Sequence, residues 1–148
     1  MSHAMSPDEI RAFLSAGTRT AKLATVRADG RPHVAPVWYV LDEVDNEWGF
    51  DLILNTGAET IKGRTMRRDH RVMLAVDDER PPFAFVLVEG TVELSDDLDE
   101  MLPWAIRIGS RYMGADQGEA FGRRNAQPGE LLVRLRPTHV IAAAGVTE

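Results

Sequence analysis

The chain has 148 residues, 23 acidic against 17 basic side chains for a formal charge of −6, 44% hydrophobic residues and no cysteine. One domain spanning 1–148 buries a sizeable core at this length, and the apolar content offsets the entropy of folding, which excludes a disordered chain. The missing cysteines exclude disulfides, thiolate metal sites, iron–sulfur clusters and a cysteine nucleophile, and leave any redox chemistry to a bound cofactor. No apolar run approaches the roughly 20 residues of a spanning helix; the best, Phe83–Val88 and Val140–Val146, are strand-length. Met1–Met5 offers neither a basic nor a hydrophobic stretch, so the expectation is a soluble cytoplasmic protein without a membrane partner. A sequence pI of about 5.2 argues against nonspecific binding to nucleic acid.

Ser6-Pro7-Asp8-Glu9 predicts a helix start with Ser6 as N-cap and Glu9 closing a capping box; Ile10, Phe13 and Leu14 form its apolar face and Gly17 stops it. Thr20–Val26 and His33–Leu41 read as strands around Ala28-Asp29-Gly30-Arg31, a tight hairpin turn with Asp-Gly in positive φ. Asp42–Glu47 is turn-like, and Phe50–Asn55 is a third strand. A short helix over Ala58–Asp69 carries Ile61 and Met66, followed by strand Val72–Val76 and a loop from Asp77 to Pro82. Phe83–Leu94 is the longest strand, with Gly90 at a bulge or close approach. Ser95 caps a longer helix that either begins late or bends at Pro103. The glycine-rich Gly114–Gly129 holds a short helix over Gln117–Arg123, and strands Glu130–Leu135 and Thr138–Ala143 are hinged at Arg136-Pro137. Six to seven antiparallel strands with two or three flanking helices make a mainly β fold with α, best accounted for by a small barrel.

Asn55–Arg71 is the strongest local anomaly: Lys62, Arg64, Arg67, Arg68 and Arg71 outnumber Glu59 and Asp69 within an acidic chain. A strand ending in Thr56-Gly57 and opening into a helix start offers hydroxyls and backbone N–H groups, which with Lys62 and Arg64 suit a phosphate. A solvated basic helix face is the plain alternative, and composition alone favours it. His3, His33, His70 and His139 are scattered without ligand spacing, so no metal is expected, and His33 reads as a hydrogen-bonded strand residue. No serine lies in a nucleophile elbow, and Asp77-Asp78 and Asp96-Asp97 read as turn and cap residues. Trp38, Phe83 and Phe85 could line a flat slot for a ring system or simply fill the core or a subunit interface; spacing alone favours filling.

The blocks Leu23-Ala24-Thr25-Val26, Asp29–Tyr39, Lys62–Val72 and Val88-Glu89-Gly90-Thr91-Val92, extended by Arg111-Tyr112-Met113-Gly114, resemble the flavin and deazaflavin oxidoreductases of the pyridoxamine 5′-phosphate oxidase-like superfamily. The resemblance is strongest to the branch that uses the deazaflavin coenzyme F420. It implies a split β-barrel (the FMN-binding split barrel) forming a homodimer with two equivalent cofactor sites at the subunit interface. By that resemblance the backbone of Ala35, Pro36, Val37 and Trp38 lies along the tricyclic ring, Thr56, Gly57, Lys62, Arg64 and Thr65 hold the phosphate, and Phe83 and Phe85 cover the neighbouring subunit's pocket. Thr65 stands where many relatives carry Asn, and Thr60 where some carry a further basic residue.

The implied activity is hydride transfer from reduced F420 to a small planar organic acceptor. Placement and electrostatics are the protein's part, and solvent, His33 or Tyr112 are the candidates to supply the proton. An FMN-dependent oxidase or reductase of the same fold and a non-catalytic carrier of F420 or another hydrophobic anionic ligand are the alternatives.

Overall fold

A computed structural model describes residues 1–148. Its strands are β1 His3–Ala4, β2 Ala21–Val26, β3 Pro32–Val37, β4 Val40–Glu43, β5 Phe50–Gly57, β6 Arg71–Asp78, β7 Ala84–Ser95 and β8 Glu130–Ala144. The helices are α1 Pro7–Ser15, α2 Ile61–Arg68, α3 Leu98–Met113 and α4 Gly118–Asn125. The strands form one antiparallel sheet in the order β3-β2-β6-β7-β8-β5-β4, with β1 added on β8. This is the split barrel: β3 and β4 are consecutive in sequence yet occupy opposite edges of the sheet. No helix is long and apolar enough to cross a membrane.

The expected single strand His33–Leu41 is therefore two strands, and Trp38-Tyr39 carries the chain across the seam between them. Tyr39 is fully buried there and donates its hydroxyl proton to the Leu14 carbonyl at 2.6 Å, which fixes the crossing against the end of α1. The β2–β3 hairpin also differs from expectation. Only Gly30 has positive φ, and the Arg27 N–H to Arg31 carbonyl bond closes a longer turn than an Asp-Gly pair alone would make.

Alternation along the strands points Leu23, Leu52, Leu54, Leu74, Val86, Val88 and Val133 into the barrel. β5 is buried on both faces, because α3 covers its outer side: Ile53, Val40 and Leu132 pack with Met101 and Ile108 in a second apolar cluster. Asp51 shares that covered side at 2% exposure, and its carboxylate is neutralised by Arg134 at 3.0 Å.

Several predicted boundaries move. Asp42 and Glu43 belong to β4, Asp77 and Asp78 to β6, and Phe83 lies outside the strand with φ 64, so β7 starts at Ala84. Helix α2 starts at Ile61 rather than Ala58. Helix α3 is capped by Asp97, whose carboxylate accepts from the Asp99 and Glu100 N–H groups, while Ser95 is still paired with Leu132 in the sheet. Pro103 interrupts neither the start nor the run of α3; it removes one N–H on the exposed side, where the orphaned carbonyl reaches water. The two C-terminal strands are one. Glu89 faces His139 and Gly90 faces Pro137, so Thr138 is an inserted bulge residue, and a bulge tolerates the missing N–H of Pro137. Helix α4 lies on α3 through Gly118 and Gly122; a Cβ at Gly122 would sit 2.8 Å from backbone atoms of Ile106.

On the outer face of the sheet Val34, Ala24, Met73, Ala75, Leu87 and Ile141 form an apolar band across five strands. Val34 is 61% and Ile141 48% exposed.

Candidate functional site

The turn after β5 is organised by Thr60. Its hydroxyl accepts from the Gly63 N–H at 3.1 Å and donates to the Gly57 carbonyl at 2.8 Å, while the Ala58 N–H goes to Gly129 and the Thr60 N–H to Gly57. Several of the N–H groups that the sequence pattern offers to a phosphate are thus already used, and the attraction for an anion falls to Lys62 on the first turn of α2. Gly63 lies so close to the turn that a Cβ would sit 2.9 Å from the Ala58 carbonyl oxygen and nearer still to that of Gly57.

Above this turn is a cleft of about 360 Å³, in the size range of small-molecule sites. One wall is Pro36, Val37 and Trp38 at the end of β3, and the floor is Asn55, Thr56 and Gly57 at the end of β5. Lys62, Ala105 and Ile108 complete it from the helices, with Asn125 and Glu130 at the α4–β8 side. β3 pairs only with β2, which leaves unpaired backbone groups along the strand that walls the cleft. Asn55 donates to the Leu131 carbonyl at 3.2 Å, but its own Oδ1 is buried without a partner. Glu130 stands opposite Gly57 in the sheet; burial raises its carboxyl pKa, the charge of Lys62 opposes that rise, and no hydrogen bond contributes.

Trp38 is held by its neighbours. Its ring stacks on Tyr112 at 4.9 Å with planes 2° apart and meets Phe121 at 6.4 Å, so one ring face is already covered. The Tyr112 hydroxyl donates to the Arg19 carbonyl at 2.8 Å and accepts from the Tyr39 N–H at 3.3 Å. Burial raises the Tyr112 pKa. Arg111 locks the same region, reaching the carbonyls of Gly17, Tyr39 and Leu14 at 3.1, 2.8 and 2.8 Å.

Of the residues singled out in the sequence, Pro36, Val37, Trp38, Thr56, Gly57 and Lys62 come together in the cleft. Ala35 lies just beside it on β3, Arg64 is on the exposed side of α2, and Thr65 is buried with its hydroxyl donating to the Lys62 carbonyl at 3.0 Å. Phe83 and Phe85 do not join Trp38 in a slot within one protomer. Ala84, between them, faces Ala144, whereas Gly57 faces Glu130 at the other end of β8. Neither His33 nor Tyr112 lines the cleft, and the expected hydrogen bond of His33 is not made at its Nδ1, which is buried and unpartnered. Sequence reasoning missed Asn55, Asn125 and Glu130 as lining residues. The available signal was the cross-strand register of Gly57 with Glu130 and Asn55 with Leu132, which requires β5 and β8 to be paired correctly.

The fold has counterparts among solved structures. A conserved hypothetical protein of Mycobacterium tuberculosis superposes with a TM-score of 0.80 at 25% identity, over 97% of this chain and 87% of that one. An F420 reductase matches with a TM-score of 0.66 at 24% identity, over 87% of this chain and 94% of that one. An FAD-binding protein of Mesorhizobium loti matches with a TM-score of 0.65 at 21% identity, over 97% and 96%. No curated protein matches the chain in sequence. The sequence profile of the pyridoxamine 5′-phosphate oxidase family matches residues 6–143, and the chain belongs to that family.

Proposed function

We propose that this protein is an F420-dependent oxidoreductase that reduces a small planar organic acceptor, with FMN as the alternative cofactor. The observation that carries the reading is the pairing, in one cleft, of an unpaired backbone edge at Pro36–Trp38 with a cation, Lys62, beside the Thr56-Gly57 turn. That combination suits a flat polar ring at one end and an anionic tail at the other. The structural match to an F420 reductase and to an FAD-binding protein supports the same ligand class.

The bound coenzyme would supply the hydride. The chain's own residues would hold and orient it: Lys62 would anchor the phosphate, the β3 backbone would line the ring, and Tyr112 keeps the Trp38 ring fixed. Arg64 adds charge from outside the cleft, and Thr65 keeps α2 in register through its bond to Lys62. The Tyr112 proton is committed to Arg19, so solvent delivers the proton to the reduced acceptor.

The same proposal includes a homodimer. Phe83 and Phe85 lie by the far end of the fifteen-residue β8 from the turn at Gly57, since Phe85 faces Ala143 and Gly57 faces Glu130, so in this reading they serve the site of a second copy. The exposed apolar band around Val34 and Ile141 is the surface that such a copy would cover.

Equilibrium binding of F420 and of FMN, followed by fluorescence at low and high salt, tests the cofactor. Tighter binding of F420, weakened by salt, supports the reading; tighter binding of FMN moves it to the alternative, and binding of neither overturns both. For the dimer, light scattering should give twice the chain mass. Mixing Lys62→Ala with Phe83→Ala protomers should restore one intact site per mixed dimer, and no restoration refutes the shared site.

A further inference from the structure

The cleft contains two ionisable side chains, Lys62 and Glu130, and their charges cancel. The other basic residues of the anomalous segment stand elsewhere. Arg64 is exposed outside the lining, Arg67 pairs with Glu59 at 3.6 Å, Arg71 pairs with Asp69 at 2.8 Å, and Arg68 donates to the Val26 carbonyl. Within one protomer, a chain segment rich in positive charge therefore places a single cation in the cleft lining. The sheet places Glu130 opposite Gly57 at the last rung of the β5–β8 ladder, and the charge of Lys62 acts on its carboxyl although the two form no ion pair.

An anion entering this cleft meets one attractive and one repulsive charge. We infer that Glu130 is a specificity determinant that disfavours a doubly charged phosphate monoester and admits a singly charged phosphodiester, which deepens the proposed function and rests on it. Of the cleft's own side chains Lys62 balances one negative charge, and the Glu130 carboxylate repels a dianion about twice as strongly as a monoanion held at the same place. The carboxylate has no hydrogen bond to divert it. Asn55 and Asn125, the other polar side chains nearby, are neutral and leave this balance unchanged.

Because Coulomb energy scales with the ligand's charge, Glu130→Gln should act in steps: no effect on a neutral ligand, about threefold tighter binding for a monoanion and about tenfold for a dianion. The test uses three ligands on one ring: the riboside without phosphate, its 5′-phosphate monoester, and the methyl diester of that phosphate. Both the flavin and the 5-deazaflavin series are titrated by fluorescence at a pH of about 8, where the monoester is a dianion. The wild type should prefer the diester to the monoester, and Glu130→Gln should erase most of that preference while changing riboside affinity less than about twofold. Asp45→Asn removes an equal charge from the exposed β4–β5 turn and should leave all three affinities within about twofold.

Equal changes for all three ligands in Glu130→Gln, or a monoester no tighter than in the wild type, overturn the inference while binding itself upholds the reading of the cleft. Binding of no member of either series, by wild type or variant, overturns that reading and the inference together.

Discussion

Gly63→Ala sets two effects of opposite sign against each other at the seat of the candidate site. By helix propensity alone the substitution stabilises α2 by about 1 kcal/mol. The structure says otherwise. The new Cβ would lie 2.9 Å from the Ala58 carbonyl oxygen, a shortfall of about 0.6 Å from ordinary carbon contact, and closer still to Gly57. Neither carbonyl can yield alone, because Gly57 is in the β5–β8 ladder and Ala58 is tied to Gly129. Overpacking of this kind costs about 1–3 kcal/mol, so against that gain the variant should be less stable by up to about 2 kcal/mol, which lowers Tm by up to about 8 °C at this size. Movement of α2 also displaces Lys62, so ligand affinity should fall by about tenfold or more. Thermal and urea unfolding read the first effect and cofactor titration the second. A variant more stable than the wild type with unchanged affinity would show that α2 is not seated as described.

Lys62→Ala should weaken binding of the phosphate-bearing cofactor by about 1–3 kcal/mol, whereas Arg64→Ala should cost less than about 0.5 kcal/mol and nothing at high salt; equal losses in calorimetric titrations would place Arg64 in the site. Burial pushes the Tyr39 hydroxyl up to about 12, above the unfolded value of about 10, so the unfolded chain loses that proton first as pH rises. Stability is intact below about pH 10 and falls by about 2–3 kcal/mol between about pH 10 and 12. Urea midpoints of wild type and Tyr39→Phe over that range should show the steeper fall in the wild type, and parallel curves would sink the assignment. Arg111→Ala strands the carbonyls of Leu14, Gly17 and Tyr39 and should destabilise by about 2–4 kcal/mol. Arg111→Lys should recover less than half of that loss in denaturant titration, because one ammonium cannot match the guanidinium fork.

Features decided within a few residues were legible in the sequence. The Ser6/Glu9 capping box forms as expected, since both bonds span three residues. Features decided by distant strands were not. Ser95 has a good cap residue's chemistry but is held in the sheet by Leu132, so the cap passes to Asp97. His33–Leu41 has the pattern of one strand, yet closing the barrel from both edges divides it at Trp38-Tyr39. β1 has two residues and no pattern of its own; its pairing is created by the far end of β8. At the site, the basic anomaly and the family resemblance led to Lys62, Thr56, Gly57 and Trp38. Glu130, Asn125 and the α3 residues come from segments that meet the turn only after the whole sheet is assembled.

The placement of β3 and β4 at the two free edges bears on how the molecule moves. Each is bonded to one neighbour, β2 or β5, whereas β7 and β8 lie inside the sheet with partners on both sides. Edge amides can open to exchange with solvent without unfolding the rest, whereas amides paired on both sides, as in β7 and β8, are expected to need larger opening. The wall of the cleft is thus built on an element of low local stability and its far support on elements of high stability. Amide exchange should be fast along Pro32–Trp38 and slow along Val86–Val92, and a bound ligand should slow the first segment far more than the second. An edge that opens on one side only would let the cleft widen while the barrel stays folded.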